Sequence, residues 1–287
     1  MKKVAAIITC LNSQNYIRKT IDSILSQAYP NMDIIAVDDG STDSTRSILE
    51  SYAPRIRVLT HKENKNLGQP ASLNHGIRET DAELIALIDH DDIWYPHKIQ
   101  RQVDVFDQIK DVGLVYTNGY AIDPSDKILY KLLPDHFEEK HLIGEILLNC
   151  YVICPTQAMI RTDLIHKVGF YREDVPSCSD HDMYVKLSEM TKFYYISDCL
   201  VGYRQHPGQQ SRRRRMWEDG SKVLDDAFRR YPYPKSLRRR RKAVLHFRLG
   251  QHDLQHNYLL RGLFHIATAG ALDPVRASKE FFRQAIK

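Results

Sequence analysis

An apolar segment that leads directly into a cluster of acidic residues is the feature that most constrains this chain. Residues 83–88 read Glu-Leu-Ile-Ala-Leu-Ile, which is typical of a buried strand, and Asp89, Asp91 and Asp92 follow at once. Burial of the strand delivers the acids to the carboxyl edge of a sheet, where open α/β sheets bind ligands. Because close carboxylates repel one another, a divalent cation with phosphate on its far side would stabilise them. The segment therefore predicts a metal-dependent enzyme acting on a phosphorylated small molecule.

Strand and helix patterns alternate along the first 110 residues, which predicts βαβ units and a mostly parallel sheet. The predicted strands are 4–10, 33–37, 56–60 and 83–88, and helical spacing of apolar residues covers 16–28, 48–52, 70–78 and 96–106. After residue 111 the pattern changes to strands at 112–116, 119–122, 156–160 and 193–196, with helices at 142–148 and 181–190. The second half therefore predicts a mixed sheet surrounded by helices.

The composition is that of an ordinary globular protein. It is 43% hydrophobic and 27% charged, and 287 residues suffice for one large domain plus an appendage. No apolar run approaches the ~20 residues that span a bilayer. The apolar start is too short for a signal peptide. The five cysteines lack metal-finger spacing, which favours reduced thiols and a cytoplasmic location.

The net charge of +5 conceals an uneven distribution. Residues 1–210 carry 22 Lys and Arg against 29 Asp and Glu, a balance of −7. Residues 211–287 carry 19 against 7, a balance of +12. This shift predicts a boundary near residue 210 between a catalytic domain, 1–210, and a basic, mainly helical extension, 211–287.

The extension contains two basic clusters, Arg212–Arg215 and Arg238–Lys242. Either could bind an anionic membrane, which would place the protein peripherally on the inner face, or a phosphorylated or lipid-linked acceptor. A solvated helix face is an equally open interpretation. Nucleic acid is disfavoured, because no RNA-binding motif with interleaved aromatic residues is present.

Two further segments place polar residues after predicted strands. Residues 35–43 end in two acids and a glycine turn, and Asp39 could accept hydrogen bonds from a nucleoside base or ribose. For residues 41–43, turn formation and helix capping are the favoured interpretation. Residues 63–76 contain a glycine turn that opens a helix, whose N-terminus attracts anions, although many loops have this pattern.

Taken in order, these segments closely resemble the family 2 glycosyltransferases, which have the GT-A fold. The motifs are Ile8–Asn12, Val37–Asp43, Asn66–Gly68 with Asn74–Gly76, and Asp89–Trp94 with Pro96 and Lys98. The resemblance covers residues 3–207. It implies inverting, metal-dependent transfer of a sugar from a nucleotide-diphosphosugar to an acceptor hydroxyl. It also implies a Mn²⁺ or Mg²⁺ cofactor and a role in bacterial polysaccharide or lipopolysaccharide synthesis.

The resemblance also assigns expected roles to individual positions. The nucleotide-sugar would be contacted by Thr9, Leu11, Asn12, Asp39, Asn74, Asp89 and Arg204. The metal would be held by Asp91, with Asp89 and His206, since Asp89 and Asp91 match the family's Asp-x-Asp motif. A structural His206 and a surface ion pair of Arg204 are the alternatives. Asp92 is expected to cap a helix and Trp94 to belong to the core.

The expected general base lies in residues 177–183, where the family usually has Glu-Asp before a helix. The Asp of that pair maps to Asp180, and Ser179 replaces the Glu. Asp182 is the second candidate for the base. Helix capping is the alternative for both acids, and more so for Asp182.

Two other classes of function remain open. A sugar-1-phosphate nucleotidyltransferase has a related sheet, but residues 9–15 contain no glycine, whereas those enzymes usually have a Gly-rich loop there. A non-catalytic binding module with this fold is disfavoured by Asp89, Asp91 and Asp180, although Ser179 keeps it open. For a transferase, the partners would be a nucleotide-diphosphosugar and a saccharide or lipid-linked acceptor.

Overall fold

The computed structural model describes residues 1–139, 143–209 and 214–276. These residues form two compact units. One contains residues 1–139 and 151–209, and the other contains residues 143–150 and 214–276. The division of the chain into domains at residue 210 stays a prediction.

Among the described residues, the first unit contains one nine-stranded sheet with helices around it. The strands are β1 Val4–Cys10, β2 Met32–Asp38, β3 Arg57–Thr60, β4 Leu84–Asp89, β5 Ile93–Trp94, β6 Val112–Ile122, β7 Ile128–Lys131, β8 Ala158–Arg161 and β9 Lys192–Arg204. The helices are α1 Ile17–Leu25, α2 Thr45–Glu50, α3 Gln69–Arg78, α4 Lys98–Gln108, α6 Thr162–Val168 and α7 Ser179–Ser188. Short 3-10 turns lie at Lys62–Asn64 and Pro155–Gln157.

The second unit is helical in its described residues. It contains α5 Glu145–Leu148, α8 Arg215–Arg230, α9 Lys235–Gln255 and α10 Leu259–Leu272. No helix in the described parts of the chain is both long enough and apolar enough to cross a bilayer. The five cysteines all lie in the described residues and form no disulfide there.

The sheet has a parallel half and a mixed half. Its order is β3-β2-β1-β4-β8-β6-β9-β5, with β7 paired to β6. Strands β1 to β4 are parallel, and β8 is antiparallel to both β4 and β6. Because β9 is parallel to β6, the carboxyl ends of β4 and β9 point to the same edge. This architecture confirms the predicted α/β fold with a mixed second half.

The central strands are buried on both faces, which explains their continuous apolar runs. All seven residues of β1 are buried. One face packs against Ile17, Ile21 and Ile24 of α1, which recur at helical spacing. On the other face, Ile7 lies against Gly76 of α3, where a Cβ would come within 2.9 Å of the isoleucine. The core thus holds the strand ends at a fixed edge.

Two strands are longer than the sequence predicts. The predicted segments 112–116 and 119–122 form the single strand β6, and β9 continues eight residues beyond Ile196. The register passes from Thr117 opposite Ile196 to Asn118 opposite Cys199, so Ser197 and Asp198 form a bulge. In the sequence, two consecutive polar residues look the same at a bulge as at the end of a strand, so the predicted strand stops at Ile196. The predicted helix 142–148 begins at Glu145, and Leu142 lies outside the described residues.

Candidate active site

The acid motif lies at the carboxyl edge of the sheet, as its position after a buried strand predicts. Asp89 is the last residue of β4 and lies beside Thr9 of β1 in the register. Its Oδ1 accepts a hydrogen bond from Nε2 of Gln69 at 2.8 Å, and its backbone N–H donates to Oγ1 of Thr156 at 3.2 Å. Asp89 is therefore held by α3 and by the turn before β8.

Three carboxylates influence one another at this edge. Burial, followed by the negative charges of Asp91 and Asp180, raises the pKa of Asp89 to about 8, and the Gln69 hydrogen bond opposes part of the rise. Asp89, Asp91 and Asp180 therefore lie close enough to interact electrostatically, although Asp180 belongs to α7. A cation among them would relieve this repulsion.

Asp91 and His206 form a direct pair. Oδ2 of Asp91 lies 2.8 Å from Nε2 of His206. The backbone N–H of Gly208 donates to Nδ1 of His206 at 3.2 Å, so the neutral ring carries its proton on Nε2 and donates it to Asp91. The ring also lies 5.4 Å from that of Tyr16, between centroids. Both members of the pair are partly exposed, at 14% and 18%.

Asp92 does not cap a helix, and that prediction is wrong. Helix α4 begins six residues later at Lys98, and Asp92 is fully buried. Its Oδ1 accepts the backbone N–H of Arg204 at 2.8 Å, and its Oδ2 accepts the hydroxyl of Thr156. Burial raises the pKa of Asp92 well above its ordinary value. The negative charges of Asp91 and Asp89 contribute to the rise. Asp92 thus links the end of β4 to the end of β9.

Arg204 is fully buried, and its contact with a nucleotide-sugar stays a prediction. Its Nε donates to the carbonyl of Asp91 at 2.6 Å, and its Nη1 to the carbonyl of Asp123 at 2.9 Å. Nη1 also lies 2.6 Å from Oδ1 of Asp126, and the guanidinium carbon lies 5.0 Å from the Tyr16 ring centroid. The side chain holds the backbone of the acid motif in place.

The two candidates for the general base have different environments. Asp180 lies in the first turn of α7 and is half-buried. Its Oδ1 accepts a hydrogen bond from the backbone N–H of His181 at 2.7 Å. Burial raises the pKa of Asp180. Asp182 is 1% exposed, with Oδ2 2.7 Å from Nζ of Lys186 and Oδ1 3.5 Å from Nη1 of Arg172. These ion pairs indicate a structural role for the carboxylate of Asp182, and its role as a second candidate for the base stays a prediction.

Asp39 anchors a loop through main-chain hydrogen bonds. Its Oδ1 accepts the N–H of Leu67 at 2.8 Å and its Oδ2 that of Gly68 at 3.0 Å. Nε2 of His61 lies 3.5 Å from Oδ1. Gly40 follows with φ +80°, where a Cβ would lie 2.7 Å from the carbonyl oxygen of Asn64, so glycine is required. The end of β2 and the loop before α3 therefore form one structure.

The end of β1 is tied to the same region. Oδ1 of Asn12 accepts the N–H of Thr42 at 2.8 Å, and the N–H of Asn12 donates to Oγ of Ser41 at 3.0 Å. Thr9 is buried and Leu11 is half-buried. The structure therefore brings Thr9, Leu11, Asn12 and Asp39 to adjacent strand ends, since β1 pairs with β2.

Asn74 makes hydrogen bonds to the segment before α7. It is buried, its amide nitrogen donates to the carbonyl of Tyr171 at 2.8 Å, and its amide oxygen accepts the N–H of Tyr171 at 2.9 Å. Nδ2 also lies 3.1 Å from Oε1 of Glu173. Asn74 thus holds the segment before α7, and its contact with the nucleotide-sugar stays a prediction.

Trp94 belongs to the core, as predicted, and covers a buried lysine. Its Nε1 donates to the carbonyl of Thr156 at 3.2 Å. Nζ of Lys98 lies 4.3 Å from the Trp94 ring centroid and donates to Oε1 of Gln102 at 2.8 Å. Burial lowers the pKa of Lys98 to about 7.

Sequence reasoning missed Gln69, Thr156 and Tyr16. Gln69 and Thr156 lie 20 and 67 residues from Asp89, and neither has a local pattern that would identify a partner. Their roles follow from the tertiary fold, which brings the start of α3 and the turn before β8 to the end of β4. Tyr16 precedes α1 and could have been found only as an aromatic residue near a helix start.

The residues at this edge fit a divalent cation, although a complete metal cage is not preformed. No group of three or more His, Cys, Asp or Glu side chains in the described part of the chain is arranged to hold an ion. The Asp91–His206 pair offers a carboxylate and an imidazole, with Asp89 nearby. Mn²⁺ accepts both ligand types, and Mg²⁺ usually takes one or two carboxylates plus substrate phosphates and water.

The fold, with its acidic strand edge, is of the GT-A type. S. aureus TarS in complex with UDP-GlcNAc has a TM-score of 0.64 at 18% identity, covering 99% of this chain and 92% of that chain. The mannosyltransferase PcManGT from Pyrobaculum calidifontis in complex with GDP-Man and Mn²⁺ has a TM-score of 0.65 at 18% identity, covering 99% and 80%. At such identities the likeness shows the fold alone.

Sequence comparison shows the family. The profile "Glycosyl transferase family 2" matches residues 5–169. An uncharacterized glycosyltransferase of Rickettsia bellii is 33% identical over 215 residues, which cover 73% of this chain and 31% of that protein. The chain belongs to glycosyltransferase family 2, as its motifs predict. It spans about a third of that relative's length.

Proposed function

We propose that this protein transfers a sugar from a nucleotide-diphosphosugar to an acceptor hydroxyl, with inversion at the anomeric carbon and with the help of a divalent cation. The observation that carries the proposal is the convergence of Asp89, Asp91, His206 and Asp180 at one sheet edge. Family membership supports glycosyl transfer. The fold neighbours, with UDP-GlcNAc in one and GDP-Man and Mn²⁺ in the other, support a nucleotide-sugar donor.

The nucleoside would lie over the ends of β1 and β2. Thr9, Leu11, Asn12 and Asp39 are adjacent there, and the Asp39 carboxylate can accept hydrogen bonds from a base or a ribose. Asp39 is fixed by the N–H groups of Leu67 and Gly68. Asp89, beside Thr9, would face the ribose or the diphosphate.

Asp91 and His206 would hold the metal, with Asp89 as the neighbouring carboxylate. Mn²⁺ or Mg²⁺, when bound, offsets the negative charge that grows on the departing nucleoside diphosphate. For Nε2 of His206 to act as a ligand, the ring proton must move from Nε2 to Nδ1, and Nδ1 would then no longer accept the Gly208 N–H. Arg204 and Asp92 would keep the backbone of the Asp91 turn in position.

Asp180 would be the general base. It accepts the proton of the acceptor hydroxyl as that oxygen attacks the anomeric carbon from the face opposite the diphosphate. The new carbon–oxygen bond forms while the bond to the diphosphate oxygen breaks, so one displacement inverts the configuration. Its raised pKa brings the carboxylate's basicity closer to neutrality, which suits proton transfer near pH 7.

The acceptor would be a saccharide or a lipid-linked molecule, in the synthesis of a bacterial polysaccharide or lipopolysaccharide. The basic extension supports an anionic or membrane-bound acceptor. Residues Arg238–Arg240 and Lys242 are exposed on α9. In the other basic cluster, Arg215 is exposed, whereas Arg212 and Arg213 lie outside the described residues.

A donor screen with purified protein tests this proposal. UDP-, GDP- and dTDP-sugars are incubated with Mn²⁺ or Mg²⁺, and the products are identified. We expect release of nucleoside diphosphate, with little turnover for Asp91→Ala and normal turnover for Asp135→Ala, whose exposed carboxylate pairs with Lys131. Release of pyrophosphate would indicate a nucleotidyltransferase. Donor binding without transfer or hydrolysis would indicate a binding module.

A further inference from the structure

Helix α10 exposes large apolar side chains on the second unit. Leu260 is 85% exposed, Phe264 64% and Leu263 51%. Of its 14 residues, only Gly262 and Ala269 are buried, and Arg261 is its one charged residue. Isolated apolar side chains on a surface need no explanation, but a helix with this composition is unusual there.

The exposed side chains form a continuous stripe. Leu260, Phe264, Ala267 and Ala271 are all exposed and recur at steps of four, three and four residues, which places them on one face of the helix. The other face packs against α9, where a Cβ on Gly250 would lie 2.8 Å from Ile266. Helix α10 is therefore apolar on both faces, a pattern typical of helices buried in a core or in contact with lipid.

Basic residues lie on the adjoining helix α9. Helices α9 and α10 are antiparallel, since His246 contacts His265 and Arg240 reaches Asp273 just beyond α10. The antiparallel packing therefore brings the N-terminal part of α9, with its exposed cluster Arg238–Arg240 and Lys242, level with the C-terminal part of α10. Within the cluster, Arg238 pairs with Asp225 of α8 at 2.7 Å, and Arg240 lies 4.0 Å from Asp273. Residues 211–287 as a whole carry 19 basic against 7 acidic residues.

We propose that α10 and the neighbouring basic residues of α9 form a docking surface for an anionic lipid bilayer, with the stripe inserted between the headgroups. A second copy of this basic surface would meet it with like charge, whereas an anionic bilayer matches both the apolar stripe and the positive charge. The helix lies in the plane of the bilayer surface. This docking does not depend on the proposed glycosyl transfer.

Vesicle flotation of the full chain tests the surface. Vesicles are made of phosphatidylcholine, alone or mixed with phosphatidylglycerol. We expect the protein to float with the mixed vesicles and much less with the neutral ones. Leu260→Ser/Phe264→Ser should weaken partitioning roughly tenfold or more, because two large apolar side chains no longer enter the lipid. Lys242→Glu should weaken it less, and added salt should weaken binding of the original chain.

A matched control is Ile128→Ser/Tyr130→Ser on β7, which removes two apolar side chains that are 51% and 57% exposed in the first unit. This control should float like the original chain. Thermal melting and donor binding are measured on each variant, so that misfolding or failure of the proposed function is seen separately. Equal flotation of the stripe variant, or no flotation of the original chain, would overturn the proposal. So would a self-associated original chain that the stripe variant converts to monomers.

Discussion

Asp91 and His206 are 115 residues apart in the chain, yet Oδ2 of one lies 2.8 Å from Nε2 of the other. The contact follows from the sheet, because β4 and β9 run in the same direction and both residues come just after those strands. It depends as well on Asp92, which accepts the Arg204 N–H and fixes the two strand ends together. The pair is the centre of the proposed metal site.

Replacement of His206 by Gln should raise the Mn²⁺ concentration for half-maximal activity by roughly 10–100-fold, with a smaller effect at saturating metal. The glutamine retains a polar side chain but provides no imidazole nitrogen. Metal titration of turnover measures the effect, and His136→Gln, an exposed residue of the same unit, is the control. An unchanged titration would assign His206 a purely structural role.

Asp180→Asn should bind the nucleotide-sugar normally and transfer roughly 10²–10⁴-fold more slowly, since the amide cannot accept the hydroxyl proton. Asp182→Asn provides the comparison. It removes the partner of Lys186 and should lower the free energy of unfolding by about 1–3 kcal/mol while turnover persists. Calorimetric donor binding, turnover and chemical denaturation distinguish the two. Full activity of Asp180→Asn would exclude it as the base.

Arg204→Lys should change the position of the Asp91 backbone rather than the chemical step of the reaction. The lysine keeps the charge but cannot contact the carbonyls of Asp91 and Asp123 as a planar fork does. We expect about 1–3 kcal/mol lower stability and a higher metal requirement, with a smaller change in kcat. Arg101→Lys, at an exposed ion pair with Asp198, is the matched control and should change neither. A large loss of kcat with metal affinity unchanged would contradict this role.

Cation binding at pH 7 should release protons. Without a cation the pKa of Asp89 is about 8, so its carboxyl group is mostly protonated at pH 7. A bound cation favours the carboxylate, and the proton leaves. The release should diminish as the pH rises above about 8, where Asp89 is already ionised. Calorimetry of Mn²⁺ binding in two buffers with different ionisation enthalpies measures it, and Asp89→Asn should abolish it. Proton-free binding to the original chain would show that Asp89 is ionised beforehand.

Lys98 should make stability depend on pH. Burial lowers its pKa to about 7 in the fold, against 10.5 as the reference value. Between these values the unfolded chain binds more protons, so the stability of the original protein should rise with pH across this window and level off below about pH 7. Relative to Lys98→Met, the original protein should therefore gain stability as the pH rises from 7 to 10. Denaturation of both proteins across this range measures the difference. A constant difference would mean that Lys98 keeps its proton, stabilised by the face of Trp94.

The local pattern of the sequence is sufficient to predict the fold of the first half and the acids of the site. Strand-end acids such as Asp89 and a helix-start acid such as Asp180 carry a short-range signal, and the structure places them together. The burial of Arg204 and the ion pairs of Asp182 depend on residues far along the chain or on how a helix face is packed. The bulge at Ser197 likewise depends on the partner strand. No local sequence pattern predicts contacts of this kind.

The reversed direction of β8 determines which residues can serve the site at all. In a fully parallel sheet, the residues at the carboxyl edge come from segments that follow strands. Since β8 is antiparallel to β4, the segment that precedes β8 arrives there instead. Thr156 thereby contacts Asp89 through its hydroxyl oxygen and Asp92 through its hydroxyl proton. One antiparallel strand thus brings a hydroxyl group to the acidic edge from a segment that comes before a strand.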